Sequence, residues 1–176
     1  MHPGVAAGIA GAAFWCLHHI TVNVLNWAEL NSNVHWVYLP SGVRLAATLL
    51  LGWPACLGIT LATFFTSLAS VPTPPWSYLL GTSLVSGFSP LLAHYWGTRW
   101  LDIPHDLSGL SSRTLILMAA LFALISATLH QVWFWAIGWG DHSVTAWAAM
   151  TLGDFAGALV VLLVVGWLLV WWEKMR

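Results

Sequence analysis

His35–Gly58, HWVYLPSGVRLAATLLLGWPACLG, decides how this chain is read. It opens as an apolar run, meets Pro40-Ser41-Gly42, and resumes with Arg44 inside a second apolar run. A helix in lipid must satisfy its own backbone groups. A proline and a glycine together therefore predict a break in the span that protein or a cavity covers. An arginine at such a depth costs about 2.5–3.5 kcal/mol to insert, so it calls for a partner and marks a functional position. A helix restarting at Ser41 would aim its free N–H groups the same way as Arg44. Ser41, Gly42 and Arg44 are thus candidates to hold an anionic group.

Working outward, the class is set by composition. Of 176 residues, 59% are hydrophobic and only 6% are charged, where a soluble domain carries about 25%. The apolar runs are about 20 residues long and do not alternate, so the chain reads as an all-α integral membrane protein and not a barrel. About six spans are expected, roughly 4–26, 35–52, 54–71, 76–97, 113–138 and 146–172, within one domain over 1–176. The second span is broken at Pro40-Gly42, and Trp53-Pro54 forms a tight turn that opens the third. A net charge of −1 gives no support for nucleic-acid binding. Cys16 and Cys56 lack paired spacing and read as small buried hydrophobes. Met1-His2-Pro3 has no basic flank, so the first helix is expected to be retained.

Orientation follows from the five basic residues, Arg44, Arg99, Arg113, Lys174 and Arg176. Four of them fall after the fourth span or at the C-terminus, while the loops 27–34, 72–75 and 139–145 have none. This places both termini in the cytoplasm of a bacterial inner membrane, in a multi-pass chain. Many of the fourteen tryptophans fall near span ends as an interfacial belt. Trp133 and Trp135 lie deeper and are candidates to line a pocket.

The intramembrane polar groups gather in the outer leaflet. His18, His19 and Asn23 come from span one, Arg44 from span two, His130 and Gln131 from span five, and Asp154 from span six. His35, Asp141 and His142 stand just outside. Two isolated charges at that depth are expected to pair, so Arg44 and Asp154 are read as partners. They form either a structural brace or the wall of a pocket for a small polar or anionic ligand, with His18 or His19 and His130 completing it. A divalent metal or an axially ligated haem on some of His18, His19, His35, His130, His142 and Asp154 is a third reading. Against it, no HxxxH or HExxH spacing occurs, and adjacent His18 and His19 point about 100° apart on a helix. No nucleophile or paired-carboxylate motif indicates an enzyme. Small residues four apart, Gly4/Gly8, Ala6/Ala10 and Ala7/Gly11 in span one and Gly153/Gly157 in span six, suit internal packing or a homo-oligomer or partner face.

Trp36…Pro40…Gly42, the leucine/alanine run to Gly52, Trp53-Pro54 and Gly58 resemble the W-P-x-G…L-x-G…W-P-G signature of the MASE1 family. Ser126-Ala127-Thr128-Leu129, Trp147 and Leu152-Gly153-Asp154-Phe155-Ala156-Gly157-Ala158-Leu159 resemble its closing W…G-D-x-x-G-x-L motif. The likeness covers about 36–165, most of the chain. It implies a membrane-embedded sensory module, with Trp36, Pro40, Gly42, Gly153 and Asp154 as the family positions. MASE1 modules usually precede diguanylate cyclase, phosphodiesterase or histidine-kinase domains. No such domain follows Arg176, so output is expected through a membrane or cytoplasmic partner, or from a longer protein of which this is a piece. The chain is also similar to the substrate-binding S components of energy-coupling-factor transporters. Those are six-span proteins that dock through small-residue faces like Ala6/Ala10, and their nickel/cobalt members begin Met-His as here.

Overall fold

The computed structural model describes residues 1–25, 29–31, 34–100, 111–141 and 143–175, with backbone alone at 29–31, 34–35, 169–170 and 173. Six helices run in sequence among the described residues: α1 (Pro3–Val24), α2 (Leu39–Leu51), α3 (Trp53–Ser70), α4 (Trp76–Trp100), α5 (Ser112–Ile137) and α6 (Val144–Lys174). A short antiparallel pair, β1 (Glu29–Asn31) and β2 (Val34–His35), sits between α1 and α2. The helices match the expected spans closely, and the molecule is a helical membrane bundle. The strand pair was not foreseen.

The side chains are distributed inside out relative to a soluble protein. Leu57, Leu61, Phe65, Leu84, Phe88, Leu163 and Trp167 face outward, while Arg44, Ser86, Ser126, His130 and Asp154 are buried. Water rewards the opposite arrangement and lipid rewards this one. By length and composition α1, α3, α5 and α6 can each cross a bilayer.

Helix α2 is the short inner member, with 13 residues and a mostly buried first two turns. At about 1.5 Å per residue it is roughly 20 Å long, against about 30 Å of hydrocarbon. The expected break therefore takes a different form. No helical run leads directly into α2: β2 and an irregular 36–38 segment come before it, and Pro40 stands in its first turn. A proline needs no N–H partner there, so it opens the helix instead of interrupting it. The non-helical backbone is satisfied by α6, because the Tyr38 N–H donates to the Gly153 carbonyl at 3.1 Å. At the other end Gly52 adopts φ 69°, and Trp53-Pro54 starts α3 as the sequence indicates.

Small residues set the closest crossings. A Cβ on Gly42 would stand 2.6 Å from the Gly157 carbonyl oxygen, and one on Gly157 would overlap the Tyr38 carbonyl. Between α1 and α3, a Cβ on Gly11 would lie 2.9 Å from the Gly58 carbonyl oxygen, and one on Gly58 would overlap that of Ala7. Ala6 and Ala10 are buried. The stripes expected as possible homo-oligomer faces of spans one and six are thus largely taken up within the chain. Gly4 and Gly8 remain exposed. Cys56 is buried as read, but Cys16 lies on the outer surface of α1 and both are free.

Candidate functional site

The connections α1–α2, α3–α4 and α5–α6 share one end of the bundle, and toward that end the interior opens into a cavity of about 700 Å³. The opposite half is closed by an apolar cluster of Leu45, Ala93, Met118, Phe122, Ile125 and Ala158. The gathering of polar groups in one half of the bundle is therefore real. It reflects α1, α3 and α5 ending where α2, α4 and α6 begin.

Arg44 forms the floor of the cavity, buried to 2% exposure. Its Nε donates to the Ser86 carbonyl at 3.0 Å. Its Nη2 donates to Ser89 Oγ at 2.7 Å and to Ser126 Oγ at 3.0 Å. The guanidinium also lies 5.2 Å from the Phe122 ring centroid, a cation–π distance. One side chain of α2 thereby ties α4 to α5.

The acceptor at Ser86 has a local cause. A helical carbonyl normally receives the N–H four residues on, and for Ser86 that residue is Pro90, which has none. Pro90 exposes the carbonyl, and Arg44 fills it.

Asp154 stands beside this fork, its Oδ2 3.8 Å from Arg44 Nη1, with both side chains nearly inaccessible. The expected partnership is present as an ion pair, longer than a direct hydrogen bond. Asp154 is placed by the α2–α6 crossing. Ser41 Oγ donates to the Asp154 main-chain carbonyl at 2.7 Å, and Gly42 lets the two backbones close.

His130 completes a ring of contacts. Its Nδ1 lies 2.8 Å from the Ser126 carbonyl and its Nε2 3.2 Å from Ser86 Oγ. A carbonyl only accepts, so Nδ1 carries the hydrogen and Nε2 accepts from the serine in a neutral imidazole. Arg44, Ser86, His130 and Ser126 form one closed network across three helices.

The walls are hydroxyl-rich. Thr63, Thr66, Ser67 and Ser70 line the cavity from one face of α3, at i, i+3, i+4 and i+7, and Thr82 and Ser86 line it from α4. Thr63 Oγ1 and Thr82 Oγ1 are buried with no hydrogen-bond partner among the described residues. Tyr78, Phe134, Trp139 and Met150 add apolar surface, and Asp141 stands at the exposed rim.

Of the residues expected at the site, Arg44, Asp154, His130 and His18 do converge on this cavity. His18 Nδ1 lies 3.5 Å from the Tyr38 hydroxyl. Five other expectations resolve differently. His19 is exposed and stacks edge-on with Trp15 at 4.3 Å. Ser41 and Gly42 serve the α2–α6 crossing and do not line the cavity. Trp36 is 44% exposed. Trp133 covers Gly81 and donates to the Ser77 carbonyl at 3.2 Å. His142 lies outside the described residues, and so does the side chain of His35. Among the described residues, no three His, Cys, Asp or Glu side chains come together as a metal site would require.

Sequence reasoning missed Ser86, Ser89 and Ser126 as the acceptors of Arg44, and the hydroxyl face of α3. The Ser83-Ser86-Ser89 spacing followed by Pro90 carried the first signal.

No family profile, curated protein or solved structure matches this chain.

Proposed function

We propose that the protein is a ligand-binding sensory module of the bacterial inner membrane, of the kind its MASE1-like motifs suggest. Both termini are cytoplasmic, and the cavity opens to the periplasm. A small polar molecule occupies it, and the change is passed to a partner protein. The protein binds this molecule without transforming it. The observation that carries the reading is the pair of buried hydroxyls, Thr63 and Thr82, lining the cavity above Arg44 with no partner among the described residues. Burying such a group unpaired costs about 1–3 kcal/mol, which a polar occupant of the cavity would offset. A pure brace needs Arg44, its serines and Asp154, but not these threonines. The transport reading drew on Ala6 and Ala10 as a docking face, and both are buried within the chain.

The test compares thermal unfolding of the nanodisc-embedded protein with that of a Thr63→Val/Thr82→Val variant. Each is measured with and without the dialysable fraction of a cell lysate. We expect the fraction to protect the wild type by several degrees. The variant should be as stable as the wild type or more so on its own, and should not respond. A wild type indifferent to the fraction, or a variant protected equally, overturns the proposal.

A further inference from the structure

The charges at the floor of the cavity set a condition on the occupant. A guanidinium offers five N–H donors. Three of Arg44's are bonded, through Nε to Ser86 and through Nη2 to Ser89 and Ser126. Nη1 has no hydrogen bond among the described residues and faces Asp154 Oδ2 at 3.8 Å. His130, alongside, has both ring nitrogens engaged, Nδ1 with the Ser126 carbonyl and Nε2 with Ser86 Oγ. The floor thus presents one positive and one negative group side by side, with no net charge. The remaining charged group lining the cavity among the described residues is Asp141 at the rim, which is again negative.

A bare anion brought to Arg44 would be repelled by Asp154 and would leave the enclosed site with an uncompensated charge. A bare cation brought to Asp154 would meet Arg44 in the same way. A molecule carrying both signs a few ångströms apart presents its acceptor to Nη1 and its donor to Asp154, and leaves the site neutral. The four apolar side chains above, Tyr78, Phe134, Trp139 and Met150, then take an apolar tail.

Resting on the cavity being a binding site, we infer that its ligand is zwitterionic, with an amine and a carboxylate close together on an apolar group, as in an α-amino acid. This narrows the small polar or anionic ligand expected from the sequence to one that carries both charges.

The experiment uses nanodisc-embedded wild-type protein and a matched panel: leucine, methionine, phenylalanine and tryptophan, each with its decarboxylated amine and its N-acetylated acid. Binding is read by thermal protection and by equilibrium dialysis. At least one amino acid should bind about tenfold or more tighter than both of its derivatives, since each derivative loses one charge-assisted contact and unbalances the site. In Asp154→Asn the preference should move by about tenfold toward the N-acetylated acid. If N-acetylated acids bind wild type as well or better, the inference falls while the binding site stands. If the lysate fraction protects but no panel member binds, the inference falls alone. If neither protects, both fall. Should Asp154→Asn fail to fold, the wild-type series decides.

Discussion

Arg44→Lys tests whether Arg44 is held where it is because Pro90 leaves a carbonyl open. Lysine keeps the charge and can still reach one or two hydroxyls, but it has no group equivalent to Nε, which donates to the Ser86 carbonyl at 3.0 Å. With Pro90 four residues on, that carbonyl would then have neither its helical partner nor its substitute. A buried carbonyl left unpaired costs about 1–3 kcal/mol. With the weakened serine contacts, Arg44→Lys should destabilise by about 2–4 kcal/mol. Pro90→Ala supplies the missing N–H. In the wild type that N–H meets a carbonyl already occupied by Arg44, and the gain is confined to relief of the proline ring. In the Arg44→Lys background it also satisfies an orphaned acceptor, so the same substitution should stabilise by about 1–2 kcal/mol more. The assay is a double-mutant cycle on reversible unfolding in mixed micelles. Additivity within about 0.5 kcal/mol would show that the two sites do not share the Ser86 carbonyl and would refute the argument.

Two further outcomes follow from the packing and the ion pair. Gly58→Ala places a methyl against the Ala7 carbonyl, 2.8 Å from its carbon and 3.0 Å from the Gly11 nitrogen. It should cost about 3 kcal/mol or more, while Gly8→Ala, with nothing within 4 Å, should be neutral or slightly stabilising in the same unfolding assay. Asp154→Leu strands a buried guanidinium and should cost about 3–5 kcal/mol. Arg44→Met also orphans the Ser86 carbonyl, so coupling is read from the cycle: the double variant should fall short of the sum of the two single losses by about 1–3 kcal/mol, and additivity would show that the pair is not coupled.

What was legible in the sequence was whatever lipid forbids. Apolar runs about 20 residues long declare spans, and a lone arginine and a lone aspartate at similar depth must meet; Arg44 and Asp154 do. Pro40-Gly42 correctly marked where the chain does something unusual. The reason was only half visible, because a proline that breaks a helix and one that begins a helix look alike until the preceding residues are placed. Which of His18 and His19 faces inward depends on the rotation of α1, which its weakly amphipathic sequence leaves open. Hydroxyls were the hardest to place. A serine or threonine in a membrane helix can satisfy itself on a carbonyl three or four residues back, as Thr21 does on Leu17. Only the fold shows that Thr63 and Thr82 do not. The pair β1 and β2 is too short for any periodicity to detect.

Helix α4 has 25 residues, yet it is not among the helices apolar enough to cross a membrane unaided. Its serines, glycines and Pro90 suit the interior of the finished bundle and are poorly matched to hydrocarbon. A nascent α4 leaving the insertion machinery therefore has no good solvent until its neighbours arrive. Its outer-surface leucines and Phe88 do not offset its polar face, and the strongly apolar α5 follows it in the chain. Insertion of this helix is thus a cooperative event with α3 before it and α5 after it. A chain halted just beyond α4 should be the point in synthesis where the protein is most exposed to membrane quality control.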